Sequence, residues 1–191
     1  PIPEKMGEGW FLSAPLSNRL YQKSALGKPV DGGIILTSEE IMFCHWHRHV
    51  PLEEGWVKSQ LQLDPDFAHK AVAYDVVRSA GEKVVPISGK WLRWSRESHP
   101  NKGVADAEVR WARAREVLDI DDLLDWIESV SSNEMNAEFA IVDDEMDVTM
   151  YRMKLIDPEG NLIPATRDNH PLLGVDHLSR KFFRDDELDW I

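Results

Sequence analysis

The sequence predicts an α/β protein in which helices pack against a mixed sheet. Strand-like and helical segments alternate, in the order α-β-β-β-α-β-β over the second part of the chain. Turn signals and helix-capping signals separate these segments from one another. The 191 residues are 42% hydrophobic and 29% charged, a balance typical of globular proteins with a buried core. This length suffices for one large domain or two small ones.

Residues 1–63 are predicted to form a small N-terminal α/β domain. Strand-like segments at 9–12 and 34–36 enclose a helical turn and a glycine-containing turn. Thr37 and Glu40 have the spacing of a capping box, which predicts a helix that stops before Pro51. The apolar face of this helix is predicted to consist of Met42, Phe43, Trp46 and Val50.

Residues 64–156 are predicted to form a larger second domain, which begins with a helix. Asp64 and Pro65 indicate the helix start, with proline at the first helical position, and Gly81 is placed to follow its end. The apolar residues that repeat at helical spacing within it are Phe67, Ala71, Tyr74 and Val77.

The remaining elements of the second domain are five strands and one more helix. Asp119 is placed to cap this helix, because a carboxylate there can accept hydrogen bonds from the first backbone N–H groups. Its predicted apolar stripe contains Ile120, Leu123, Leu124 and Ile127. The predicted strands are 83–87, 90–95, 107–112, 137–142 and 147–156.

Charge and composition limit the partners of the chain. Lys and Arg total 22 against 34 Asp and Glu, a net charge of −12. Because nucleic-acid binding depends largely on neutralising phosphates, the isolated chain is expected to bind RNA or DNA poorly. It fits the acidic member of a complex whose partner is basic. No apolar run approaches the ~20 residues of a membrane span, so we expect a cytoplasmic protein without membrane contact.

The tail, residues 157–191, contains a short echo of the N-terminal domain. Residues 178–183 read Leu-Ser-Arg-Lys-Phe-Phe, and residues 16–21 read Leu-Ser-Asn-Arg-Leu-Tyr. The echo has two interpretations. Either it is the start of a second copy of the small domain, or an amphipathic turn has matched by chance.

Three segments in the right order resemble the archaeal tRNA-splicing endonuclease family, also called tRNA-intron lyase. Residues 20–29, followed by residues 33–40, resemble the small N-terminal domain of that family. Residues 73–85 resemble the helix and strand that open its nuclease-like domain. Residues 140–151 resemble its near-terminal strand, acidic loop and strand. The resemblance covers about residues 16 to 156, with poor agreement between about 88 and 118.

The resemblance implies a restriction-endonuclease-like mixed sheet in the second domain. It also implies cleavage of intron-containing pre-tRNA at the bulge-helix-bulge fold. In that reaction a 2′-hydroxyl attacks the adjacent phosphate and leaves a 2′,3′-cyclic phosphate and a 5′-hydroxyl. The family uses a Tyr as base, a His as acid and a Lys to stabilise the transition state. Neither a metal nor another cofactor is implied.

The positions that correspond to this triad are vacant in the sequence. The lysine position falls at 134–136, but the chain has no lysine between Lys102 and Lys154. The histidine position falls at the start of the segment 105–109, and the tyrosine position near Trp94 or Ser95. No catalytic residue is therefore expected in this chain. Among neighbouring residues, His99 and Lys102 are the candidates that could substitute.

A vacant triad suits the non-catalytic units of the family, which work beside catalytic units. The implied partner is a catalytic subunit, or a catalytic repeat of the same protein, in a dimer of units or a heterotetramer with pre-tRNA. The implied contributions are a dimer-forming strand over 148–156 and an acidic loop that docks into a basic cleft. The residues of this acidic loop are Asp143, Asp144, Glu145 and Asp147.

Two other functions remain open. The chain could be a competent endonuclease subunit that uses His99 and Lys102, or a non-nuclease interaction module on the same fold. Within the complex, one basic and aromatic region could contact unpaired bases by stacking. Its predicted RNA-contacting residues are Trp94, Arg93, Arg96, Arg110 and Arg113.

No metal site is expected. His45 and His49 share a helix face, but zinc would need at least a third ligand, and the sequence suggests none. The single cysteine, Cys44, excludes a disulfide within the chain.

Overall fold

A computed structural model describes residues 1–156 and the backbone of residues 172–176 and 181–184. The chain divides into two units, Pro1–Leu155 and Ile156–Ile191. The predicted domain boundary after residue 63 lies inside the first unit and stays a prediction.

The first sheet of this unit has four antiparallel strands in the order β1-β2-β4-β3. A Cβ atom at Gly33 would lie 2.2 Å from the carbonyl oxygen of Leu12. The close approach of the two central strands therefore requires glycine at this position. The strands are β1 Glu4–Met6, β2 Gly9–Ser13, β3 Lys28–Val30 and β4 Gly33–Leu36, and the helix between β2 and β3 is α1 Leu16–Ser24.

Helix α2, Ser38–Arg48, begins with the predicted capping box. The Glu40 carboxylate accepts hydrogen bonds from the backbone N–H groups of Thr37 (2.9 Å) and Gly27 (2.8 Å). It thereby ties the helix start to the loop before β3. The predicted apolar face is wrong at Trp46, which is 41% exposed. The buried residues of α2 end at Cys44, because the last turn of the helix projects beyond the core.

Helix α3, Trp56–Leu63, was not predicted, because its sequence is half polar and only Trp56 and Gln60 are buried. Helix α4, Phe67–Val77, begins later than predicted. The Asp64 carboxylate accepts a hydrogen bond from the N–H of Asp66, and this turn delays the helix start beyond Pro65. The four predicted apolar residues of α4 are all buried.

Helix α4 also ends earlier than predicted. A separate 3₁₀ turn, Ser79–Gly81, follows it, and Gly81 closes that turn with a φ of +86°. This left-handed conformation explains the glycine.

The second sheet is the predicted mixed sheet, with five strands in the order β5-β6-β7-β8-β9. Only β7 and β8 are parallel, and helix α5 crosses over between them. The α/β prediction is therefore confirmed. The strands are β5 Lys83–Ile87, β6 Lys90–Trp94, β7 Ala107–Arg113, β8 Asn136–Val142 and β9 Val148–Met153.

Helix α5, Ile120–Ser132, has the predicted cap at Asp119, whose carboxylate accepts hydrogen bonds from two backbone N–H groups. The predicted apolar stripe is partly wrong, since Ile120 is 61% and Leu124 is 44% exposed. The helix instead packs against β8 through residues nearer its C-terminal end. Those buried residues are Trp126, Ile127 and Val130.

One apolar cluster runs through both sheets of the first unit. Leu12 of β2, Ile41 of α2, Tyr74 of α4 and Val142 of β8 all belong to it. The predicted small domain and the predicted larger domain thus share a core. None of the helices in the described part of the chain has the length and hydrophobicity to cross a membrane.

The second unit contains an antiparallel pair, β10 Leu172–Asp176 and β11 Lys181–Arg184. Residues 181–183 of the sequence echo lie in β11, whereas their counterparts lie in helix α1. Residues 178–180 lie outside the described part of the chain, and the second copy of the small domain stays a prediction.

Candidate functional site

The two candidates for substitute catalytic groups lie in the loop between β6 and β7. The Nδ1 atom of His99 accepts a hydrogen bond from the N–H of Asn101, and Nε2 lies 3.2 Å from the carbonyl oxygen of Tyr21. These contacts require the proton on Nε2 and occupy both ring nitrogens. The side chain of Lys102 is exposed, and its backbone N–H donates to the carbonyl of His99.

His99 and Lys102 line an open surface depression of about 370 Å³. We call it the lysine depression, because Lys23 of α1 and Lys83 of β5 line it together with Lys102. Lys83 is only 8% exposed, and its ammonium donates to the backbone carbonyls of Arg96 and Ser98. The remaining lining residues are Tyr21, Gln22, Glu97, Ser98 and Asn101.

Two of the predicted RNA-contacting residues are engaged inside the fold. Trp94 is 6% exposed and its indole N–H donates to the carbonyl of Gly103, 3.0 Å away. Arg93 forms a bidentate pair with Glu138 and a further hydrogen bond with Glu82, all at 2.8 Å. Partial burial lowers the pKa of Arg93, but the bonds to Glu138 and Glu82 outweigh it and raise this pKa overall.

The other predicted RNA-contacting residues lie on the surface. Arg110 pairs with Asp122 at 2.7 Å and lies over the ring of Trp126. Arg113 pairs with Asp66 at 3.1 Å, and Arg96 is exposed. RNA contact by Arg110 or Arg113 would have to displace a carboxylate of the chain itself.

The acidic loop is a tight connection between β8 and β9. The Asp143 carboxylate accepts hydrogen bonds from the N–H groups of Glu145 and Asp147, each at 2.9 Å. Asp143 therefore fixes the shape of the loop, whereas Asp144, Glu145 and Asp147 extend into solvent. Asp144 also pairs with the exposed Arg115 at 2.7 Å.

Strand β9 forms one edge of the mixed sheet. It pairs with β8, and among the described residues no strand pairs with its other side. Met150 is 38% exposed and Tyr151 is 48% exposed on this strand. An open edge with large apolar side chains is suited to pairing with another chain.

The three segments to which the family resemblance assigns the triad positions meet at one end of the sheet. Asp106 accepts a hydrogen bond on its carboxylate from the N–H of Ser95. Its backbone carbonyl accepts bonds from both the N–H and the side-chain amide of Asn136, each at 3.0 Å. Segments 94–95, 105–109 and 134–136, far apart in sequence, thus converge through Asp106. We call the hydrogen-bonded members of these segments, Ser95, Asp106 and Asn136, the triad-position cluster.

The histidines of α2 have protein partners. His45 Nδ1 lies 2.9 Å from the carbonyl oxygen of Val50, and His47 pairs with Asp75 of α4. The residues that the structure describes contain no group of three or more His, Cys, Asp or Glu side chains arranged to hold a metal ion.

Two adjacent buried glutamates support the start of α2. Glu39 lies 3.2 Å from the ammonium of Lys70 and accepts a hydrogen bond from the indole N–H of Trp91. Burial raises the pKa of Glu40 to about 7, despite the opposing bonds from Thr37 and Gly27.

Glu40 is expected to make stability depend on pH. Since its pKa is higher in the folded state than the ordinary 4.5, folding favours the protonated form. The contribution of Glu40 to the free energy of unfolding is complete below about pH 4.5 and is lost as the pH rises to about 7. This change in the free energy of unfolding is about 3 kcal/mol. Urea unfolding of wild type and Glu40→Gln between these pH values should show a smaller decline for the variant. Glu53→Gln, an exposed control, should follow wild type; identical profiles for all three proteins would contradict the prediction.

No protein-family model matches the chain. Over 151 residues it is 26% identical to a protein named tRNA-splicing endonuclease from Methanosarcina acetivorans, covering 75% of this chain and 43% of that protein. Over 145 residues it is 29% identical to a protein of the same name from Methanococcoides burtonii, covering 72% and 41%. The predicted resemblance to the archaeal tRNA-splicing endonucleases is therefore confirmed. The chain spans about two-fifths of the length of these relatives.

The family resemblance identified the segments that contain Ser95, Asp106 and Asn136. The sequence did not reveal the lysine depression, because Lys23, Lys83 and Lys102 are separated by about 60 and 20 positions and no local pattern joins them. Nor did the sequence reveal the acidic partners of Arg93, which are Glu138 on β8 and Glu82 just before β5.

Proposed function

We propose that this chain is the non-catalytic, structural unit of a tRNA-splicing endonuclease. The assembled enzyme would cleave introns from pre-tRNA at bulge-helix-bulge sites and leave 2′,3′-cyclic phosphate and 5′-hydroxyl ends. The relatives support the link to tRNA splicing through their names and their similarity over about three-quarters of the chain.

The observation that carries the proposal is the triad-position cluster. Cleavage needs a group that removes a proton, a group that delivers one and a cation for the developing charge. Ser95, Asp106 and Asn136 provide neither a cation nor a side chain of the Tyr-His-Lys kind. The Asp106 carboxylate and carbonyl are also occupied by hydrogen bonds from the other two residues.

Two further features support a role in assembly. Asp143 holds the acidic loop in one shape, so three carboxylates project from a preformed turn. Such an arrangement suits a positive cleft, because a cation relieves the mutual repulsion of clustered carboxylates. The open edge of β9 provides a separate surface for strand pairing. A partner would thus be a catalytic unit with a basic cleft.

The test is reconstitution of pre-tRNA cleavage. The chain is mixed with a catalytic unit of the same endonuclease, and the native mass and cleavage products are measured for each component and for the mixture. We expect cleavage only by the mixture, with cyclic phosphate ends. Cleavage by this chain alone, lost in His99→Ala, would instead support the competent-subunit alternative. A mixture without assembly or cleavage would refute the proposal.

A further inference from the structure

The lysine depression concentrates positive charge on an acidic chain. Lys23 and Lys102 are exposed, and Lys83, which also lines the depression, is largely buried. None of the three forms an ion pair with the described residues, and Glu97 is the one acidic residue among those that line it. Five arginines of the described residues differ in this respect, because carboxylates of the chain pair with them. Those arginines are Arg93, Arg110, Arg113, Arg115 and Arg152.

The position of Lys83 indicates that the charge of the depression is structurally fixed. Its ammonium is held by two backbone carbonyls, which leave the positive charge without a counter-ion. Burial of an unpaired charge costs free energy unless another charge compensates it. An anion in the depression would provide that compensation, together with charge from the exposed Lys23 and Lys102. The site therefore matches an anionic ligand although the net charge of the chain is −12.

The residue types that line the depression suit a phosphate ligand. The guanidinium of arginine recognises both carboxylate and phosphate with two parallel hydrogen bonds, whereas lysine binds an anion as a point charge and is a common phosphate ligand. Every cation that lines the depression is a lysine, and the phenol of Tyr21 and the amide of Asn101 add polar groups beside them.

The depression also shares a loop with the triad-position cluster. Within the loop 95–106, Ser98, His99 and Lys102 line the depression. Ser95 and Asp106 of the same loop belong to the triad-position cluster. A strand of RNA near this loop could therefore reach the lysines. We propose that the lysine depression binds a phosphate of an RNA backbone. The anion site rests on geometry and charge, and the choice of RNA as the source of the phosphate rests on the proposed function.

The test measures RNA binding by this chain without any catalytic unit. A fluorescent, short single-stranded RNA is titrated with wild type and with Lys23→Gln/Lys102→Gln at about 50 to 200 mM salt. We expect the double variant to bind about tenfold more weakly at low salt. The slope of log affinity against log salt should fall by about 0.7 for each phosphate contact that is lost.

The control is Lys28→Gln/Lys58→Gln, which removes the same charge from two exposed lysines outside the depression. This control should bind RNA nearly as wild type does. Equal effects of the two double variants, or no RNA binding by wild type, would overturn the inference. A poly-glutamate peptide is titrated in parallel. The inference would also be overturned if Lys23→Gln/Lys102→Gln bound this peptide more weakly than wild type but bound RNA equally well.

The outcome is separable from that of the proposed function. Loss of RNA binding in Lys23→Gln/Lys102→Gln would support a phosphate site in the depression even if reconstituted cleavage failed. Conversely, successful reconstitution with unchanged RNA binding would retain the structural unit and reject the phosphate site.

Discussion

Neutralising the exposed carboxylates of the acidic loop is expected to weaken assembly with a catalytic unit at least about thirtyfold. The variant is Asp144→Asn/Glu145→Gln/Asp147→Asn, which retains Asp143 and so retains the hydrogen bonds that shape the loop. Removing charges that pair at the centre of an interface typically costs 2–5 kcal/mol, which corresponds to this decrease in affinity. Analytical ultracentrifugation measures assembly, and pre-tRNA cleavage by the mixture should decline in parallel.

A charge-matched control separates docking from general electrostatics. Glu53→Gln/Glu54→Gln/Asp125→Asn also removes three negative charges, all from exposed side chains outside the loop. This control should assemble nearly as wild type, with a modest change in association rate. If both variants assemble equally well, the acidic loop is not the docking element, and the edge of β9 becomes the principal candidate.

Replacing Arg93 by alanine is expected to destabilise the first unit by about 3 kcal/mol. Arg93 is the shared partner of Glu138 and Glu82, and Glu138 is largely buried on β8. Removing one partner of a buried ion pair leaves an uncompensated charge, which is more costly than removing the pair. Urea unfolding measures the loss. The carboxylate of Glu138 also lies 3.6 Å from the guanidinium of Arg152. This second cation limits the expected loss of stability to the lower part of the range for breaking a buried ion pair.

The matched control is Arg115→Ala, which breaks the exposed pair with Asp144. Exposed pairs contribute about 0 to 1 kcal/mol, so this variant should unfold nearly as wild type does. If Arg93→Ala were equally stable but the assembled enzyme lost RNA affinity, the RNA-contact interpretation of Arg93 would replace the structural one.

Local chemistry explains which elements the sequence could predict. The starts of α2 and α5 depend on Thr37 with Glu40 and on Asp119, groups that act on backbone atoms within three residues. Such signals can be recognised in the sequence without knowledge of the fold. The strand-like segments of the mixed sheet were likewise predicted, with bounds correct to within a few residues.

The errors arise where distant contacts decide the outcome. Trp46 lies on the predicted apolar face, but it is 41% exposed, and only the packed structure determines which residues of that face are buried. Arg93 appeared available for RNA because its sequence neighbours are aromatic and basic. Its carboxylate partners lie 11 and 45 positions away. The proximity of Ser95, Asp106 and Asn136 was accessible only through the family resemblance, since no pattern in one sequence links residues so far apart.

The core that both sheets share has a consequence for how the first unit unfolds. Leu12 and Ile41 belong to the same apolar cluster as Tyr74 and Val142, so residues from both sides of position 63 exclude water from each other. Neither segment could melt without exposing the buried surface of the other. The first unit should therefore lose its structure in a single cooperative transition, and a chain break after residue 63 should leave two fragments that need each other to fold.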